Sequence, residues 1–363
     1  MQTPTIPFGD LSREVTELGS ALDDTVRDVL ARGRFILGDE VAAFEREFAT
    51  WLGVPHAVGC ASGTEAITLA LMALGVGPGD EVVLPTNTCV PTASGIRMAG
   101  ATPVPVDVLP DTLMIDPDAV RHALTRRTKA IVPVHLYGGP ADLAPLVALG
   151  VPVVEDCAQA HGARYHGRAV GTFGALSCWS FYPSKNLGAY GDAGAVCTAD
   201  AALAERVRRL RQYGQSSRYR HDEEGLNSRM DELQATILRL KLRRLDGWNA
   251  RRRTLAARYA RALSSVDTPV TTIGGESVHH LYPILVERRD ALQAHLAAHS
   301  VQTLVHYPIP LHLQPCYRAW GCGTGAFPVA EAAADRLLSL PLFPQLTDDE
   351  ARAVVAAIEV FDA

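Results

Sequence analysis

Short apolar, β-branched runs alternate with helix-like stretches through the middle of this chain, and that alternation restricts its fold more than any other feature. The runs fall at 81–84, 102–108, 130–136, 151–155 and 175–182, with helical patterns at 91–99, 116–124 and 141–149 between them. Strands joined through helices make parallel βαβ units, whose sheet is buried on both faces. The expected class is therefore α/β, with a mostly parallel central sheet. Val41, Phe44, Phe48 and Trp51 predict an earlier amphipathic helix, and Leu69, Met72 and Ala73 predict another beginning near Gly63. From Arg229 to about Leu263 the pattern predicts one or two long, Arg-rich helices. Residues 281–363 hold strand-like and helix-like pieces in a different order. With 363 residues against ~150 per domain, the expectation is a large domain over 1–245, including the N-terminal segment, and a small α+β domain over 246–363.

The formal net charge of −6 repels a polyphosphate, which argues against generic nucleic-acid binding. No apolar run approaches the ~18 residues of a membrane span. Met1–Asp10 lacks the basic start and apolar stretch of a signal peptide, so the expected location is cytoplasmic. Cys60, Cys89, Cys157, Cys178, Cys197, Cys316 and Cys322 form no C-x-x-C pair and read as reduced core thiols. The Arg251-Arg252-Arg253 run reads as a solvated helix face. Lysine stands only at 129, 185 and 241, so any chemistry that needs a side-chain amine has three candidates.

Four places invite chemistry, since ligands of open α/β sheets bind beyond the strands' carboxyl ends. In Ala61-Ser62-Gly63-Thr64-Glu65 a small-residue turn opens a helix whose free amides can hold a phosphate. Ser62 and Glu65 also have the spacing of a capping box, which needs no ligand. Val153-Val154-Glu155-Asp156 is an apolar strand ending in carboxylates. Such an acid can bind a metal, act as a base or hold a protonated heterocycle. No further acid or histidine stands at ligand spacing, so no metal is expected, and His161 reads as a polar loop residue. Lys185 follows a strand in an apolar, small-residue setting that lowers an amine's pKa, as a Schiff-base lysine requires. Lys129 and Lys241 look like solvated charges. Last, Asn227 or Ser228 can serve as N-cap of the helix that follows them.

A phosphate loop, a strand-end Asp and a lysine after the next strand, in that order, suit pyridoxal phosphate on an α/β scaffold. From Ile6-Pro7-Phe8 through Leu340-Pro341-Leu342 the chain resembles the DegT/StrS sugar aminotransferases, a fold-type I pyridoxal phosphate group. Arg34-Phe35-Ile36-Leu37-Gly38, Ala61 through Ala66, Val134-His135-Leu136-Tyr137-Gly138, Glu155-Asp156 with Gln159, and Phe181 through Gly188 carry the resemblance. It implies that Gly63 and Thr64 hold the phosphate with Ser180, that Asp156 pairs with the ring nitrogen and that Gln159 lies against the ring. Lys185 becomes the cofactor's Schiff-base partner and the catalytic proton carrier. Asn227 resembles the residue donated to the neighbouring subunit's phosphate, which implies a homodimer with shared sites. One departure stands out: Cys89 occupies the place where relatives usually put an aromatic over the ring.

Family members that act as sugar dehydratases carry His at the lysine position, so Lys185 implies amino transfer, with L-glutamate as donor. Leu210-Arg211-Gln212-Tyr213-Gly214, Tyr219, His221, His306-Tyr307-Pro308 and His312-Leu313-Gln314 resemble the subgroup aminating C3 of nucleotide-linked 3-keto-6-deoxyhexoses. That resemblance implies a dTDP-linked sugar, a place in deoxyamino sugar and antibiotic biosynthesis, and a hexose pocket lined by Tyr182, Tyr219, His221 and His306. Two other readings stay open at this point. One is amination at C4, whose enzymes often have His-Gly near 213–214; the other is a non-catalytic, cofactor-binding regulator.

Overall fold

The computed structural model describes residues 5–361. Seven strands build the central sheet: β1 (His56–Cys60), β2 (Glu81–Pro85), β3 (Thr102–Val106), β4 (Thr128–Ile131), β5 (Val154–Asp156), β8 (Leu176–Ser180) and β9 (Gly194–Thr198). Their order is β1-β9-β8-β5 on one side and β4-β2-β3 on the other. Parallel bridges Ile131 to Val153 and Val134 to Asp156 join the two halves. Only β9 runs against its neighbours, pairing antiparallel with both β1 and β8. The mostly parallel α/β sheet is as expected. Its periodic runs found β2, β3, β4, β5 and β8 but not β1 or β9. His56-Ala57-Val58-Gly59-Cys60 and Gly194-Ala195-Val196-Cys197-Thr198 are rich in small residues, so they lack the branched run that marks a strand.

Side chains alternate between two layers along these strands, as the period of two requires. Val58, Cys60, Leu176, Cys178 and Val196 join the core under helix Gly63–Ala73. Ala57, Trp179, Ala195 and Cys197 face the opposite core. There Phe48 meets Trp179 edge-on at 5.3 Å and Phe44 meets Phe181 at 5.3 Å, both from helix Asp39–Leu52. Such pairs add ~0.5–1.5 kcal/mol each beyond the area they bury.

The two-stranded hairpin β10 (Gln215–Ser217) and β11 (Arg220–His221) stands outside the sheet, as do the short strands β6 (Arg164–Tyr165), β7 (Arg168–Ala169) and β12 (Gly275–Glu276). Beyond the helices Glu232–Leu242 and Leu245–Ala262, β13 (Tyr282–Leu285) pairs antiparallel with β14 (Leu337–Leu340). Leu255, Tyr259, Leu296, Leu338, Val354 and Ile358 form a core of their own there, and Ile6 joins it. No helix among the described residues is long and apolar enough to cross a membrane. The parallel strands β1, β5 and β8 end at one edge of the sheet, and the candidate residues gather along it.

Candidate active site

At the end of β1 the chain turns through Ala61 and Ser62 into helix Gly63–Ala73. Ser62 caps the helix, its Oγ accepting from the Glu65 amide at 3.2 Å. The second half of the capping box is not made. Glu65 Oε2 instead accepts from Ser228 Oγ at 2.7 Å, and Ser228 in turn accepts from the Ala61 amide at 3.3 Å. The first-turn amides of Gly63 and Thr64 have no carbonyl four residues back within the helix, so they stay available to an anion. A Cβ on Gly63 would lie 2.5 Å from Ser180 Cβ and 3.0 Å from Ser180 Oγ. Only glycine lets the turn close against the end of β8. Gly63 and Ser180 thus meet at the start of the helix, with Thr64 the next residue along its first turn.

Glu155 and Asp156 end β5 and point to opposite faces of the sheet. Glu155 is wholly enclosed, accepting from the amides of Gly171 at 2.6 Å and of Phe173 and Gly174 at 2.7 Å. Burial opposes its ionisation, yet His135 and these amides together hold its pKa below the usual carboxylate value. His135 Nδ1 accepts from the Ala141 amide at 3.0 Å, so Nε2 carries the proton and donates to Glu155 at 3.1 Å. His135, Glu155 and Cys157 lie close enough to suggest a metal set. Both imidazole nitrogens are already spent, however, and burial drives the Cys157 thiol pKa well up. The cluster is a hydrogen-bonded knot bracing β5.

Asp156, 4% exposed, faces the site. Its Oδ2 accepts from Thr92 Oγ1 at 2.8 Å and its Oδ1 from the Ala158 amide at 3.1 Å. Burial raises its pKa, with Thr92 and the Lys185 charge acting the other way. Lys185 follows β8 on a turn closed by its amide on the Tyr182 carbonyl at 2.8 Å. Burial lowers the pKa of its amine, opposed by Asp156. A cavity of about 630 Å³ opens over this lysine, lined in part by Cys89, Gln159, Tyr182, His306 and Tyr307. Gln159 is fixed at both ends: Oε1 accepts from the Tyr137 amide at 2.7 Å, and Nε2 donates to the Tyr307 hydroxyl at 3.0 Å. The same hydroxyl lies near enough to the Cys89 thiol for each to influence the other's ionisation. His306 is set by Ser339 Oγ at 3.0 Å and by Phe8 stacked at 5.6 Å.

Lys185, Cys89, Gln159, Tyr182 and His306 therefore meet in one cavity, with Asp156 adjoining. Tyr219 and His221 do not line it in this chain. They sit on the exposed β10–β11 hairpin, Tyr219 at 83% exposure, with His221 Nδ1 2.8 Å from the Tyr213 carbonyl. Asn227 lines a separate cavity of about 410 Å³ with Ala61, Arg229 and Gln234. Neither Asn227 nor Ser228 caps a helix: the helix starts at Glu232, preceded by Asp231, because Asn227 is held in a bridge to Gln212 and Ser228 is spent on the turn at 61–65.

Four further sequence readings need correction. Lys241 is fully buried, its Nζ 2.5 Å from Glu14 Oε1, bonded to the Gly188 carbonyl and 4.7 Å from the centre of the Tyr190 ring. An arriving N-terminal helix covers that face of helix Glu232–Leu242. Arg252 is buried too, donating to the Leu342 carbonyl at 2.8 Å and lining the Lys185 cavity. His161 is no loop residue in solvent but lies enclosed between Trp179 and Phe181 with both ring nitrogens unpaired. Burial lowers its pKa to about 3, so it stays neutral. Of the thiols expected in the core, Cys316 is exposed.

Residues 17–359 match the model of the DegT/DnrJ/EryC1/StrS aminotransferase family. The chain belongs to that family. Among its relatives is the dTDP-3-amino-3,4,6-trideoxy-α-D-glucose transaminase of Streptomyces venezuelae, 46% identical over 98% of this chain and 96% of that one. Another is the erythromycin biosynthesis protein EryC1 of Saccharopolyspora erythraea, named for sensory transduction, 48% identical over 98% and 99%. The crystal structure of S. venezuelae DesV, determined with a ketimine intermediate, superposes with a TM-score of 0.97 at 46% identity, covering 99% of both chains. This family chain is a sugar aminotransferase on the fold-type I scaffold.

Proposed function

We propose that this aminotransferase moves an amino group from L-glutamate to C3 of a nucleotide-linked 3-keto-6-deoxyhexose, dTDP-linked by preference. The observation that carries the reading is the half-buried Lys185, whose amine faces a cavity of substrate size with Asp156 adjoining. Relatives named for 3-amino sugars, from S. venezuelae and from Aneurinibacillus thermoaerophilus, support amination at C3 over C4. Both Lys185 and Asp156 are intact, which favours an enzyme over a regulator.

The donor set fits pyridoxal 5′-phosphate. Gly63, Thr64 and Ser180 supply amides and a hydroxyl for a phosphate, Asp156 supplies a buried anion for a protonated ring nitrogen, and Lys185 supplies the amine for an aldehyde. When bound, that cofactor supplies the electron sink that lets nitrogen pass between carbons. Asp156 would hold a proton on the ring nitrogen by its buried negative charge. Lys185, whose lowered pKa makes it a base nearer neutrality, would take a proton from the α-carbon of the amino donor in the first half-reaction and return one to C3 of the sugar in the second. Gln159, clamped by Tyr137 and Tyr307, walls one side of the site. Tyr182 and His306 orient the hexose, while Tyr219, His221 and Asn227 would serve the partner's site of a homodimer. Seven free cysteines suit a reducing cytoplasm as its setting.

Two measurements test the reading. L-Glutamate added to the holoenzyme should release 2-oxoglutarate and convert the cofactor to its amine form. NMR of the product from a nucleotide-linked 3-keto-6-deoxyhexose should place nitrogen at C3, with the 4-keto isomer slower by ~10²-fold or more. Nitrogen at C4 would reject the position while leaving the transferase intact.

A further inference from the structure

Tyr137 stands where glycine would be the easy choice. Its φ of 59° and ψ of 2° lie in the left-handed region, which a bulky side chain enters at a cost, within the short turn Leu136–Gly138. Such a posture persists only where the surrounding structure holds it. Here three of the residue's polar groups are engaged. The amide donates to Gln159 Oε1 at 2.7 Å, the carbonyl accepts from the Leu281 amide at 3.2 Å, and the hydroxyl donates to the His306 carbonyl at 2.8 Å. Burial pushes the phenol pKa up, so the hydroxyl keeps the proton that its bond requires.

Two of these bonds belong to a closed circuit. From the Tyr137 amide it runs to Gln159 Oε1, from Gln159 Nε2 to the Tyr307 hydroxyl at 3.0 Å, back along the chain to His306, and from the His306 carbonyl to the Tyr137 hydroxyl. A main-chain amide only donates, which settles the orientation of Gln159: its oxygen faces Tyr137 and its nitrogen faces Tyr307. Gln159, His306 and Tyr307 all line the Lys185 cavity, whereas Tyr137, 5% exposed, stands behind that lining. Other elements hold this stretch of main chain at Leu304, bridged to Ser339, and at Leu311, whose amide donates to the Thr86 carbonyl at 3.0 Å. The Tyr137 hydroxyl is the hold nearest to the His306 backbone.

We infer that Tyr137 is a positioning residue for the sugar: its hydroxyl fixes the His306 main chain, and so the hexose side of the cavity, at a set distance from the cofactor side that its amide holds through Gln159. The inference rests on the aminotransferase reading, which gives Gln159 and His306 those two sides. Tyr137→Phe separates them, because it removes the hydroxyl and leaves both the amide on Gln159 and the packing of the ring. Tyr259→Phe is the matched control. It too loses a bond from a buried tyrosine to a main-chain carbonyl, that of Pro341 at 2.9 Å, but in the core of Leu255, Leu296 and Leu338.

The test titrates dTDP-6-deoxyglucose, which has no carbonyl to react, and dTDP separately onto each holoenzyme by calorimetry. In Tyr137→Phe the Kd for the sugar nucleotide should rise about tenfold, on the scale of one hydrogen bond, while that for dTDP and the rate of 2-oxoglutarate release from L-glutamate change by less than about twofold. Tyr259→Phe should lower the Tm and leave all three values alone. An unchanged sugar-nucleotide Kd in Tyr137→Phe overturns the inference. So does a loss shared equally by dTDP, by glutamate turnover or by Tyr259→Phe, which is what a merely structural tyrosine would give. A wild type that binds dTDP-6-deoxyglucose no tighter than dTDP overturns it as well, since the His306 side then holds no hexose. Release of 2-oxoglutarate by the wild type tests the parent reading separately: its absence rejects both, whereas its presence beside an unaltered Tyr137→Phe rejects the inference alone.

Discussion

Tyr307 comes from the far end of the chain to meet the thiol of Cys89, at the place where related enzymes put a ring. Its hydroxyl accepts from Gln159 and lies beside that thiol, and the residue is half-buried. Cys89→Tyr should therefore overpack the site, at a cost on the order of 1–3 kcal/mol, instead of restoring a missing contact. Thermal melts of the holoenzyme check this: an unchanged or higher Tm, with slower cofactor loss, would mean the space is open. The lysines give a second prediction at this scale. Borohydride should fix the cofactor to the peptide bearing Lys185 alone, and peptide mapping that finds it on Lys129 or Lys241 would remove Lys185 from its role. Lys185 was legible because its neighbours in sequence are also its neighbours in space. Arg252 and Lys241 were not, because a basic residue on a helix reads as solvated until another segment covers it. Those covers are residues 279–280 and 342 for Arg252, and helix Leu11–Leu18 for Lys241.

Among elements, the turn into helix Gly63–Ala73 depends on the missing side chain at its first residue. Gly63→Ala would drive a methyl into Ser180, so turn and strand must part. Cofactor affinity should fall at least tenfold with secondary structure intact, measured by equilibrium dialysis and circular dichroism; unaltered affinity would separate this turn from the phosphate. At the other end of the chain, helix Asp348–Glu359 is tied to helix Leu11–Leu18 by the Arg13–Glu350 fork, at 2.7 and 2.8 Å. The Arg13 bond is the main cause holding the Glu350 pKa down at about 2, against an ordinary 4.5. A depressed carboxylate pKa adds stability that is complete above the unfolded value and disappears as pH falls through the folded one. Glu350→Gln, which keeps the Thr347 capping box, should cost about 0.5–1 kcal/mol at pH 7 after solvent screening. The Tm gap from wild type should close between pH 4.5 and 2, and a gap independent of pH would assign it to packing. Strand periodicity made most of the sheet legible, whereas β1 and β9 were hidden by small residues whose strand state depends on pairing with each other and with β8.

For the molecule as a whole, the division of site residues within one chain is informative. Asn227, Tyr219 and His221 stand away from the Lys185 cavity of their own chain, on exposed segments. Mixing an Asn227→Asp variant with a Lys185→Ala variant should restore part of the turnover if sites are shared, since one of the two sites in a mixed dimer is then intact. No recovery after proven subunit exchange would confine each site to its own chain. The sequence carries the resemblance that raises this idea, but a single chain's periodicity holds no information about what a neighbour contributes.

The scarcity of lysine has a practical outcome. With Lys185 in the cavity and Lys241 sealed beneath Glu14, Lys129 is the one exposed side-chain amine, at the start of β4. Active sites here gather at the opposite, carboxyl ends of the parallel strands. Apart from the chain's terminal amine, an amine-reactive bead or dye would thus attach at a single side chain on the far rim of the sheet. Immobilised molecules would share one orientation, with their mouths turned toward the bulk liquid.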